Sequence, residues 1–327
     1  ATISEFEDSS INNLDSWCTI TSSLADLFSS YIISQHHQDI FLHENMNKLA
    51  KTLQISLTKS PDFLISRFLS RLCRDFYDLS VMELKTNPNK DYSSKRYSNI
   101  LFTTCVALKA LLEDKRSLPP AWYYQITMCL FYLNFITEDI GNTGLDSYGT
   151  VYEITSTAIS CGTDSRIYYD LLSTMKGNIS HIISEPSKIN TSRLLFMLNF
   201  MGTTLSEVPV ITPQLIQEIV LPLRLTYLNS TSLDIRESVH VAMISLFMNS
   251  NKGLAKWQAQ NYLNYLRISV GQFLDGKITE QQIILIFQKI SSRVSSLSFF
   301  EKHLLRDALH YTYTKVLNCY KFQKEQQ

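Results

Sequence analysis

Apolar positions recur at steps of three and four along most of the chain. Leu14, Trp17, Ile20, Leu24, Leu27, Phe28 and Tyr31 lay one stripe along a helix. Phe63, Leu64, Phe68, Leu72, Cys73, Phe76 and Leu79 lay another. No stretch reads as a strand-rich unit. Helix starts are also marked. Ser60-Pro61 and Thr212-Pro213 each read as a cap followed by proline at the first helical position, where its missing N–H is tolerated. Asp164 reads as the cap of a helix that Gly177 can end, and Gly276 can close the helix beginning near Gly253. Thr279 with Gln282, and Ser298 with Glu301, have capping-box spacing. Pro222, inside IVLPLRLTYL, is expected to kink or split its helix.

The pattern predicts roughly a dozen helices joined by short links, so that sequential helices run antiparallel. The fold class is all-α: an irregular α-solenoid, a HEAT- or armadillo-like array of stacked antiparallel helix pairs, with no repeat period close enough to name. A single continuous array over residues 1–327 is expected. The clearest interruption is EDIGNTGLDSYGT at 138–150, readable as a sub-boundary or as an ordered loop packed by Ile140, Leu145 and Tyr148.

Composition strengthens the helical reading. There are nine glycines in 327 residues, and the first is Gly141. A long glycine-free start leaves little scope for tight hairpins, which need positive φ, and none for a Gly-rich phosphate loop. Residues of the set AVILMFWYC make up 45% of the chain, enough to offset chain entropy, so intrinsic disorder is excluded. Cys18, Cys73, Cys105, Cys129, Cys161 and Cys319 form no CxxC pair, and each lies in an apolar helical pattern, which predicts buried, reduced thiols.

Thirty basic residues balance thirty acidic ones, so no overall field is present to hold a polyanion, and nucleic acid is not an expected partner. The distribution is uneven. Glu5, Glu7, Asp8, Asp15, Asp26, Asp39 and Glu44 precede the first basic residue, Lys48, whereas Lys289, Arg293, Lys302, Arg306, Lys315, Lys321 and Lys324 gather near the other end. Solvated helix faces are the plainer reading, and a pair of opposite-sign docking patches the sharper one. The stretch 117–137 carries no charge, but Pro119-Pro120, Gln125 and Asn134 fit a buried helix better than a transmembrane span. The first residues, ATISEFEDSS, are acidic where a signal peptide would be basic.

Candidate chemistry is sparse. His36, His37 and His43 with Asp39 and Glu44 are the densest ligand-like set, but a seven-residue step between His36 and His43 is not a zinc spacing. His303, Arg306, Asp307 and His310 share one helical face, where an ion-paired polar stripe explains them better than acid–base catalysis. No nucleophile elbow, HExxH, P-loop or EF-hand loop is present. No enzymatic activity, cofactor or metal is expected. Trp122, Tyr123, Tyr124, Phe131, Tyr132 and Phe135 occupy every face of one helix, and Trp257, Tyr262 and Tyr265 line another. Core packing explains them, unless an exposed face forms a groove for a partner's helix or an extended peptide.

The strings FYLNFITEDIGNTGLDSYGTVYE (131–153), DIRESVH (234–240), KWQAQNYLNYLRISVGQFLDGKIT (256–279) and LLRDALHYTYTKVLN (304–318) resemble, in collinear order, segments of the fungal peroxisomal biogenesis factor 8 family. The likeness runs from about residue 125 to 320 and is faint before that. It implies a peripheral protein on the lumenal face of the peroxisomal membrane. Such a protein is a non-enzymatic scaffold of matrix-protein import, linking the docking complex to the RING-finger ubiquitin-ligase complex and contacting the cycling cargo receptor. Family members end in a targeting tripeptide of the Ser-Lys-Leu kind, whereas this chain ends KFQKEQQ, so the resemblance is to a central portion and self-targeting is not expected of it. The other reading is a generic helical adaptor of cytosol or nucleus. Ile140, Leu145, Tyr148, Tyr152, Trp257, His303, Arg306 and His310 are the candidate partner-binding residues.

Overall fold

A computed structural model of the chain describes residues 14–34, 40–86, 90–114, 116–140, 146–162, 164–179 and 187–325. Among the described residues there is no strand. The helices are α1 (Leu14–Ile33), α2 (Ile40–Glu44), α3 (Met46–Lys59), α4 (Asp62–Thr86), α5 (Lys95–Glu113), α6 (Pro120–Ile140), α7 (Asp146–Ser160), α8 (Ser165–Gly177) and α9 (Lys188–Thr204). They continue as α10 (Pro213–Leu215), a π-helical turn (Ile216–Val220), α11 (Leu221–Tyr227), α12 (Leu233–Met248), α13 (Lys252–Leu274), α14 (Glu280–Leu297) and α15 (Leu304–Glu325). The all-α array read from the periodicity is thus borne out. The chain divides into two compact units, residues 1–197 and 198–327.

In the first unit, helices lie against their neighbours-but-one: α3 on α5, α4 on α6, α5 on α7 and α6 on α8, with α1 against α3 and α4. That is the stacking of helix pairs, in which each element is covered by the next repeat of the pattern. α6 is the central element, and every residue from Ile126 to Leu133 is buried. Its uncharged sequence is core, and no described helix is long and apolar enough to cross a membrane. Trp122 is 3% exposed, and its indole N–H donates to Ser66 Oγ at 2.9 Å.

Arginines close helix ends here across long stretches of sequence. A helix leaves its last carbonyls without intrahelical donors. Arg96 Nη2 donates to the carbonyls of Ile32 (2.7 Å) and Ser34 (3.1 Å) at the end of α1. Arg116 does the same for Thr58 (2.7 Å) and Ser60 (2.9 Å) at the end of α3. Arg193 donates to the carbonyl of Asn178 (2.8 Å), just past α8, and to Ser80 Oγ (2.6 Å). Beside them Glu83, buried on α4, accepts the Tyr97 hydroxyl at 2.5 Å and lies 3.6 Å from Lys90 Nζ.

In the second unit α12 and α13 pack on α14, α13 and α14 pack on α15, and α11 packs on α12. His240 anchors the interior. Its Nε2 lies 2.7 Å from Gln272 Oε1 and its Nδ1 3.0 Å from the Tyr265 hydroxyl. Gln272 Nε2 donates to the Leu228 carbonyl, which leaves its oxygen to accept the imidazole N–H. Burial holds the His240 pKa below the usual histidine value.

Several helix ends follow the sequence reading. Thr212 Oγ1 accepts the Leu215 N–H, and Asp164 accepts the Arg166 N–H. The Thr279–Gln282 box is closed from both sides, at 3.3 and 2.9 Å. Gly276 stands at φ +68°, and its N–H and that of Lys277 bond back to Phe273 and Gln272. This is the Schellman arrangement, which needs a left-handed residue at that position.

Other expectations are corrected. Ser60 does not cap α4, because its hydroxyl donates to the Ser56 carbonyl at 2.7 Å and meets Thr21 Oγ1 at 2.8 Å. Ser298 forms no capping box, since its hydroxyl donates to Ser295 and α15 starts only at Leu304. Pro222 interrupts the α-helical ladder, as expected, but by a π-helical turn and not by a break. The π-helical turn before it, closed by Leu221 N–H to Ile216 O, opens the ladder where the proline ring would otherwise crowd a carbonyl. Segment 138–150 is not a loop at its described ends: 138–140 belong to α6 and 146–150 to α7. Cys105 and Cys129 are buried thiols, but Cys161, just past α7, is exposed.

Candidate functional site

The candidate residues fall into three places. Ile140, Tyr148 and Tyr152 lie around the α6–α7 connection in the first unit, while Leu145 lies outside the described residues. Tyr148 is half-buried, with its hydroxyl 3.4 Å from Asn134 Oδ1, and burial raises its pKa well above the usual phenol value. Tyr152 meets Phe196 edge to face at 5.8 Å. Both rings are engaged in packing within their unit. Trp257, on α13 in the second unit, is half-buried against Phe247, their ring centroids 6.1 Å apart. It lines a recess of about 370 Å³ whose far wall carries Val210 and Ile216.

His303, Arg306 and His310 are exposed at the start of α15, and Arg306 pairs with the adjacent Asp307 at 3.1 Å. His36 and His37 lie outside the described residues. His43 accepts or donates a 2.7 Å hydrogen bond with the Tyr31 hydroxyl. Among the described residues no group of three or more His, Cys, Asp or Glu side chains is arranged to hold a metal ion.

A larger concave surface than the Trp257 recess lies further along α13. α13, α14 and α15 enclose a groove of about 610 Å³, lined by Phe273 and Leu274 from α13, Ile284 and Phe287 from α14, and Thr312 and Val316 from α15. Its lining is apolar apart from Gln288, Thr312 and Lys315. The apolar surface continues along α15: Leu305, Leu309 and Val316 are 41%, 62% and 62% exposed. With Thr312 they occupy i, i+4, i+7 and i+11, a single stripe down one side of the helix. By that periodicity Arg306 and His310 lie off this stripe, about 90° and 130° round the helix from its centre.

One edge of this groove is basic, while Asp275, paired with Lys277 at 3.1 Å, and Glu280 stand at the α13–α14 turn. α13 carries Lys252, Lys256 and Arg267 and no acidic residue. At the groove's edge the Arg267 guanidinium stands 5.7 Å and the Lys315 ammonium 5.8 Å from the centroid of the same ring, Tyr311. Neither has a carboxylate partner among the described residues. The sequence reading singled out the polar residues of α15, His303, Arg306, Asp307 and His310, and passed over its apolar side. The signal was the unbroken apolar stripe along α15.

The fold defines the chain as an all-helical protein of packed helices, with an open apolar groove on its second unit. The chain is 30% identical over 332 aligned residues to peroxisomal biogenesis factor 8 of Saccharomyces cerevisiae, an alignment covering 93% of the chain and 54% of that protein. The chain therefore spans about half the length of the curated relative it matches. The resemblance read from about residue 125 to 320 is borne out, and the alignment extends it toward the N-terminal part, where the likeness was faint. No protein-family model matches the chain, and no solved structure matches it.

Proposed function

We propose that the chain is a non-enzymatic scaffold of peroxisomal matrix-protein import. In this reading it links the docking complex to the RING-finger ubiquitin-ligase complex and contacts the cycling cargo receptor, while held peripherally on the lumenal face of the peroxisomal membrane. The observation that carries the reading is the alignment to peroxisomal biogenesis factor 8 along nearly the whole chain. The fold supports it, because stacked helices offer long surfaces to several partners at once and no described helix is fit to cross a bilayer. The candidate residues Ile140, Tyr148, Tyr152, Trp257, His303, Arg306 and His310 remain proposed contacts, with the exposed α15 positions the most accessible of them.

The test is made in the organism's own cells with the full-length protein. Its loss should leave a reporter ending in Ser-Lys-Leu in the cytosol. A tagged copy should co-isolate docking and RING subunits, and should resist protease added to intact peroxisomes but not to detergent-opened ones. A diffuse cytosolic or nuclear signal, with the reporter imported normally, would instead favour a generic helical adaptor.

A further inference from the structure

We infer that the α13–α15 groove is a docking site for an amphipathic helix of a partner protein, one whose apolar face is flanked by Asp or Glu. The inference relies on the scaffold reading only for what such a partner would do, not for whether it binds. Three observations carry it.

The first is shape. The apolar surface is recessed between three helices, with Phe273, Ile284 and Val316 on separate walls. A cylinder fits such a trough, whereas a flat bilayer surface would rest on its rims. The second is the stripe of Leu305, Leu309, Thr312 and Val316 along one rim, whose three apolar residues are exposed. It offers an incoming helix a row of positions at the spacing of its own apolar residues.

The third is charge. Arg267 and Lys315 both stand within 5.8 Å of the Tyr311 ring centroid at the groove's edge, and neither pairs with a carboxylate among the described residues. Lys289, next to the lining residue Gln288, adds to the same sign, and the Asp275–Lys277 pair at the α13–α14 turn is neutral. A second copy of this groove would bring like charges together, and a helix with a basic flank would do the same. An acidic flank completes the site.

The probes are two synthetic peptides of about five helical turns, with Leu at i, i+3, i+4 and i+7 and either Glu or Lys on the flanking positions. Fluorescence anisotropy against the full chain should show the Glu-flanked peptide binding at least about tenfold more tightly than the Lys-flanked one. Val316→Glu and Ile284→Glu, on opposite walls and both partly exposed, should each weaken the Glu-flanked peptide by about tenfold or more while leaving the circular dichroism spectrum unchanged. Lys315→Glu should narrow or invert the preference between peptides.

Equal binding of the two peptides, no binding, or binding untouched by both wall variants would overturn the inference. So would concentration-dependent dimerisation abolished by Val316→Glu, which would make a second copy the occupant. Binding to phosphatidylserine vesicles lost in the same variant would make a membrane the occupant. Because these measurements use purified protein, their failure leaves the import role standing, and failure of the cellular tests leaves the groove standing.

Discussion

At the scale of single residues, the interior is held by side chains that do two things at once. Trp122 fills the core beside α4 and also gives its N–H to Ser66. Trp122→Ala should therefore cost about 3–5 kcal/mol, read as a lower urea midpoint, with Trp122→Phe recovering most of it. His240 is the residue through which stability senses pH. Its folded pKa is lowered by burial, so protons bind the unfolded chain first as the pH falls below the ordinary histidine value. Stability present above that value should decline from there down to the folded pKa. Denaturation midpoints measured at pH 7 and pH 5 should differ more in the parent protein than in His240→Gln. These roles were only partly legible in the sequence. Trp122 was readable as core because its whole helix is apolar. The arginine caps were not, because Arg96 and Arg116 serve carbonyls 62 and 56 residues away. Local patterns carry no information about such partners.

At the scale of helices, starts were readable where the capping group is its own neighbour, as at Thr212, Asp164 and Thr279. They were misread where a distant group competes. Ser60 has the right neighbours for a cap, yet Ser56 and Thr21 claim its hydroxyl. Pro222 shows the complementary limit: periodicity registers the residue that cannot donate, not the wider turn that accommodates it. Helix spacing has its own sensitive point. A Cβ placed on Gly202 of α9 would lie 2.7 Å from Val241 Cγ1 on α12. Val241, β-branched and in a helix, has one strongly preferred rotamer and cannot readily turn away. Gly202→Ala should destabilise by about 1–3 kcal/mol, and Val241→Ala in the same chain should return most of that. A double-mutant cycle on the urea midpoint is the check.

At the scale of the whole chain, periodicity made the all-α class legible, and collinear strings made the relative legible. The groove was not, for a physical reason: an apolar stripe states that a face avoids water but not what covers it. The thirty charges of each sign are unevenly spread, and the last three helices carry more basic than acidic residues. That skew separates arrival from departure. Long-range attraction between a cationic rim and an acidic helix acts during approach and is screened by salt, whereas the apolar trough acts only after contact. Raising ionic strength should slow association of the Glu-flanked peptide severalfold and leave its dissociation nearly constant. Val316→Glu should do the reverse chiefly through faster dissociation, and stopped-flow mixing separates the two. A protein built this way can meet a partner quickly and still have its dwell time set independently, by the fit of a few apolar side chains.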